Sequence, residues 1–123
     1  MSERATVEIP DRDLESLDSL WSGGLGEAYN AFLRETEDAR VALAAAMVEI
    51  GIKLQGIGSH VAAHGELLLG DLCLARASRL LADVGDQHLQ IAFARVVERV
   101  SSDAAAGVPA PGVRPLLMAA LAR

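Results

Sequence analysis

Apolar residues recur along this chain at the three- and four-residue intervals of α-helices, and they nowhere alternate over the length a β-strand needs. Leu14, Leu17 and Leu20 stand three apart within 11–20, and Ser22-Gly23-Gly24 is expected to end that short helix. A second short helix is predicted from Gly26 to Glu35, carrying Tyr29, Phe32 and Leu33. Thr36 is placed to cap a long third helix that opens on Glu37-Asp38, where carboxylates favour the positive end of the helix dipole. Its apolar positions are Val41, Leu43, Ala44, Met47, Val48, Ile50 and Leu54. The Gly56-Ile57-Gly58-Ser59 stretch weakens helical order, and a kink or break is expected there.

Gly65 to Ala82 reads as a fourth helix with Leu67, Leu68, Leu69, Leu72, Cys73, Leu74, Leu80 and Leu81 nearly encircling it. A helix of that kind is buried on several sides, which a chain of 123 residues struggles to provide internally. A partner subunit is the expected cover, with Leu67, Leu68, Leu72, Leu74 and Leu80 as candidate interface residues. Val84-Gly85 closes this helix and Asp86 caps the next, in which Leu89, Phe93, Val96 and Val100 fall at i, i+4, i+7 and i+11. Gln87, Gln90, Arg95, Glu98 and Arg99 occupy its opposite, solvated side. Residues 103–112 are rich in Ala, Gly and Pro, and Val113 to Arg123 can form a short helix with Pro115 in its first turn. The segment 103–123 is therefore read as a C-terminal stretch with freedom to move. The expected fold is all-α, a single helical bundle domain spanning residues 1–123.

Composition narrows the functional classes. At 123 residues and 51% hydrophobic content the chain can bury one core but is too short for two domains of ordinary size. Seventeen acidic against eleven basic residues give a formal charge of -6, which opposes attraction to nucleic-acid phosphates and anionic lipid surfaces. Cys73 is the only cysteine, so no internal disulfide forms and a reducing compartment fits. The N-terminal MSERATVEIPDRD is charged, and no apolar run approaches the roughly 20 residues a membrane-spanning helix needs. A soluble, cytoplasmic protein is expected.

No complete catalytic set emerges. His60 and His64 stand four apart with Glu66 and Cys73 nearby, but Val61 occupies the place where a metalloprotease carries its glutamate base. No glutamate has a histidine three residues on, as a ferritin-like metal bundle requires. The two histidines are read as structural. Cys73 lies between Leu72 and Leu74, away from the positive charge that activates a thiol. Gly56-Ile57-Gly58 leads to Ser59-His60 and lacks the lysine of a phosphate-binding loop. There is also no Asp-Asp-x-x-Asp cluster to hold magnesium against a diphosphate. No catalytic, cofactor-binding or metal-binding residue is assigned.

The segment Leu67 to Val100, with Gly70-Asp71, Leu74-Ala75-Arg76-Ala77 and Leu80-Leu81-Ala82, resembles the Gly-Asp-centred helix and its successor in trans-polyprenyl diphosphate synthases. Ala44 to Ala62 is similar to the helix that, in catalytic members, ends in the first aspartate-rich motif. Aligned from Glu49, the aspartate positions fall on Ser59, His60 and Ala63, the connection to Gly70-Asp71 is shorter, and no second aspartate-rich motif follows. That departure resembles the small, non-catalytic subunit of two-part synthases such as the heptaprenyl diphosphate synthases, in which a comparable helix carries histidine. The resemblance covers Ala44 to Ser102. It implies part of the isoprenoid synthase fold and a larger catalytic partner bearing both aspartate-rich motifs. Magnesium and the allylic diphosphate would sit on that partner, none of the metal on this chain, and the pair would set prenyl chain length. Gly112-Val113-Arg114-Pro115-Leu116-Leu117 is similar to a substrate-binding Arg-Pro-Leu-Leu segment of catalytic members but lies at the wrong end, and is read as coincidence. The alternative is a helical interaction or regulatory protein without isoprenoid connection.

Overall fold

The computed structural model describes residues 19–56, 64–107 and 112–122. Most of the expected helix over 11–20 falls outside them, as do Ser59, His60 and Ala63. The described residues contain no strand. The described residues form a bundle of five α-helices: α1 Gly26–Thr36, α2 Ala39–Leu54, α3 His64–Val84, α4 Gln87–Ala106 and α5 Val113–Leu121.

The helix break expected at Ser22-Gly23-Gly24 is present as a kink at Gly24. Within the turn Trp21–Leu25 that precedes α1, Gly24 takes a φ of 138°, so the chain kinks there before α1 begins. Close packing holds the two sides of the kink together. A Cβ at Gly26 would lie 2.8 Å from the Trp21 ring, so the missing side chain lets the indole lie against the helix. The indole also sits 5.7 Å from the Tyr29 ring. Leu25 is buried by this turn of chain.

The cap of α2 is Asp38 rather than Thr36. Thr36 still belongs to α1, which closes when Glu37 adopts a left-handed φ of 61° and its N–H bonds the Leu33 carbonyl at 3.0 Å. Asp38 is then the first extended residue, and its carboxylate accepts from the N–H groups of Arg40 (2.9 Å) and Val41 (3.2 Å). Asp86 caps α4 as expected, accepting from the Leu89 N–H at 3.1 Å. Gly56 (φ 71°) and Gly85 (φ 79°) take up the positive φ at the breaks where the sequence places them.

The helix enclosed on every side is α2. An unbroken run from Ala44 to Ile52 is buried, and Ala42, Ala44, Ala45 and Ala46 expose nothing. The sequence points to 65–82 instead, because it weighs side-chain size and not how closely neighbours can approach. Small side chains let α1, α3 and α5 close in on α2 from different directions. Around it lie Phe32 of α1, Cys73, Ala77 and Leu81 of α3, Phe93, Val96 and Val100 of α4, and Leu117 of α5. Burial of Phe93, Val96 and Val100 follows the predicted stripe of α4.

α2 and α3 cross where Gly51 meets Gly70. A Cβ at Gly70 would come within 2.9 Å of the Gly51 carbonyl oxygen and 2.6 Å of the Gln55 side chain. One at Gly51 would lie 3.0 Å from Leu74. Gln55 completes the crossing by donating a hydrogen bond from Nε2 to the Asp71 carboxylate. The Gly-Asp pair therefore serves a close helix contact.

Gly70→Ala should lower stability by about 1–3 kcal/mol through this overpacking, despite the better helix propensity of alanine. Gly65→Ala, in the same helix with nothing within 4 Å of its added Cβ, should be neutral or slightly stabilising. Urea denaturation of both variants, followed by circular dichroism, measures the contrast; equal effects would remove the crossing as the cause.

Candidate functional site

The five candidate interface leucines of α3 occupy different surroundings. The helix turns Gly70, Cys73, Ala77 and Leu81 into the core. Leu74 and Leu80 pack half-buried on its two flanks. Leu68 is 57% exposed, and Leu67 and Leu72 are each 40% exposed. By helical spacing, Leu68 and Leu72 stand one turn apart opposite the core stripe, while Leu67 shares the flank of Leu74. The expected interface thus divides into an outer pair, Leu68 and Leu72, and a flank where Leu67 continues from Leu74. Leu80 belongs to the other flank.

A trough of about 570 Å³ opens along the seam between α3 and α4, floored by Val48 of α2. Large apolar groups line its base, Leu74 and Leu81 on one side with Phe93 and Val97 on the other. Ala77 is buried among them, and Ser78, Ala94, Ser101 and Ser102 stand exposed on the walls. Side chains this small ordinarily bring two helices together; here they border open space. Gln90 and Glu98 complete the lining, which contains no Lys, Arg or His. Sequence periodicity separates the core stripe of α4 from its solvated face, and it gives no sign that an intermediate face borders a trough.

A charged cluster joins α1, α2 and α5. Glu49, only 2% exposed, lies in the middle of α2 among apolar side chains. Arg114 of α5 meets it with Nε at 2.8 Å and one terminal nitrogen at 2.9 Å, and grips Glu27 of α1 at 2.7 and 2.8 Å. Lys53 adds a bond to Glu49 at 3.1 Å. The guanidinium carbon also lies 5.8 Å from the centre of the Phe32 ring. Two carboxylates and two cations balance in the cluster, and Glu49 is the member whose burial requires the pairing.

Burial pushes the Glu49 carboxyl upward, but the hydrogen bonds and charges of Arg114 and Lys53 outweigh it and hold the group below its ordinary range. Glu27 is lowered chiefly by its hydrogen bonds to Arg114, whose own pKa is raised in return. The resemblance of the Arg-Pro-Leu-Leu segment to a substrate-binding one is thus matched by an intramolecular role for Arg114. Spacing alone hides it, because Arg114 and Glu49 are 65 positions apart.

Burial raises the Cys73 thiol, and the Arg76 charge offsets this only in part. That leaves the thiol protonated near neutral pH. His64 opens α3, while its proposed companion His60 lies outside the described residues. Among the described residues no group of three or more His, Cys, Asp or Glu side chains is placed to hold a metal ion. Among the same residues no helix is long and apolar enough to cross a membrane. No family model, curated protein or solved structure matches the chain.

The cluster predicts a pH signature with a definite sign. Because the folded-state pKa of Glu49 is depressed, its contribution is complete above the unfolded carboxylate pKa and is lost as pH falls through the lower folded value. Arg114→Met leaves a buried carboxylate with Lys53 alone, so burial prevails and the folded pKa moves upward. The variant should lose about 3 kcal/mol at pH 7, and that deficit should narrow on acidification as Glu49 takes up a proton. Urea midpoints of both proteins from pH 7 to 4 test this. A deficit independent of pH would mean that Arg114 acts through packing alone.

Proposed function

We propose that this chain is a non-catalytic subunit that docks on a larger protein through the outer face of α3. Its partner, in this reading, is the catalytic chain of a heteromeric polyprenyl diphosphate synthase. The exposure of Leu68 and Leu72 carries the docking half, since two neighbouring leucines on the outside of a helix lose unfavourable contact with water when a partner covers them. The synthase half is supported by the resemblance over Ala44 to Ser102 and by the absence of aspartate-rich motifs from the sequence. Magnesium and allylic diphosphate belong to the partner's aspartates, and this chain supports its fold and the tunnel for the growing prenyl chain. The same leucines serve a helical interaction protein unconnected with isoprenoids equally well, so the two readings separate on the partner.

Co-expression with a synthase-like chain bearing both aspartate-rich motifs should yield a complex that condenses isopentenyl diphosphate with an allylic diphosphate in magnesium. This chain alone should not do so. Changing Leu68 and Leu72 together to glutamate should weaken association roughly tenfold or more, at unchanged helicity, since each leucine gives up about half of its burial. Light scattering of the mixtures reads the association and product chromatography the activity. Magnesium-dependent elongation by the isolated chain would overturn the non-catalytic assignment, and a wild-type chain that stays apart from every such partner would overturn the synthase reading.

A further inference from the structure

We infer that the trough between α3 and α4 receives an amphipathic helix with basic borders from a partner chain. This rests on the reading of the chain as a subunit and names what its partner inserts. Three observations carry it.

The first is the open seam. Exposed walls of Ser78, Ala94 and Ser101 over a base of Ala77, Leu81 and Phe93, with Leu74 on the flank, leave about 570 Å³ unfilled. Side chains bordering such space lack neighbours on one side and lose those contacts, which an occupant restores. Small walls also allow a helix backbone to approach closely.

The second is length. The exposed Leu67 shares its flank with Leu74, and Ile91, 52% exposed, stands one turn before Ala94 and two before Glu98 on α4. The apolar strip on α3 therefore runs from Leu67 to Leu81, about 21 Å at about 1.5 Å per residue, the length of roughly four turns of helix. A compact small molecule would leave both ends bare.

The third is charge. Glu98 lines the trough, and Asp71 lies on the flank between Leu67 and Leu74. No Lys, Arg or His is among the lining residues. A carboxylate in an apolar trough that no cation lines favours lysine or arginine at the borders of the occupant's apolar face and disfavours an anionic head group.

The test uses a fluorescein-labelled sixteen-residue peptide with leucine and alanine on one helical face and lysine along both borders. A glutamate-bordered version and a scrambled sequence of the same composition serve as controls, all read by fluorescence anisotropy on the full chain. The lysine-bordered peptide should bind at least tenfold more tightly than either control. Ser78→Trp and Ala94→Trp, which fill the trough from exposed positions, should each weaken it at least tenfold with helicity retained. Glu98→Lys should narrow the preference over the glutamate-bordered peptide. Leu68→Glu, on the outer face, should leave binding unchanged. Equal binding of the scrambled peptide, indifference to both tryptophan variants, or occupation of the trough by dodecanol while the peptide fails to bind would each overturn the assignment. Co-purification with a synthase-like chain separates the two readings. Trough binding that survives failure of that pair refutes only the synthase partner. A pair indifferent to Ser78→Trp and Ala94→Trp refutes the trough.

Discussion

Enclosure of α2 sets what the other helices must do. Its buried face is made largely of alanine, valine and glycine, residues that lose little side-chain entropy on burial and keep neighbouring axes close. Stability then depends on how near those neighbours come. The Gly51–Gly70 crossing fixes α3 against α2 at the shortest approach the backbones allow, and Leu74 and Gln55 close over it. With its inner stripe fixed there, α3 presents Leu68 and Leu72 outward as a consequence of helical geometry.

A carboxylate in the middle of such a helix is a liability that the fold turns into a fastening. Glu49 cannot be buried without cations. Lys53, one turn on, supplies one from the same helix, and Arg114 supplies the other from α5 while reaching Glu27 on α1. Leu117 of α5 is fully buried one turn farther on, so the charged and apolar contacts position the same short helix together. Arg114 is itself partly exposed, which makes its geometry, two forked contacts on two helices, more telling than its burial.

Much of this arrangement was legible in the sequence. Helix periods, the cap at Asp86 and the breaks at Gly56 and Gly85 are local properties, and each stands where the pattern puts it. What escaped was relational. Whether Thr36 caps α2 depends on Glu37 adopting a left-handed turn first. The leucine-rich helix looked like the enclosed one because hydropathy does not register that an alanine-rich neighbour can be surrounded more tightly. The candidate leucines could be named but not sorted, since sorting requires knowing which stripe Gly70 and Cys73 turn inward. The trough and the Arg114 cluster join residues far apart in the chain and had no local signal.

Because Arg114 follows Glu49 by 65 positions, the fastening has a temporal side. Synthesis at about 5–20 residues per second makes Glu49 roughly 3–13 seconds before the guanidinium that neutralises it exists. For that interval α2 carries its carboxylate beside Lys53 alone, and the emerging chain gains by keeping that end of the helix in contact with water. Arrival of Arg114 thus sets the earliest moment at which that end of α2 can be closed over.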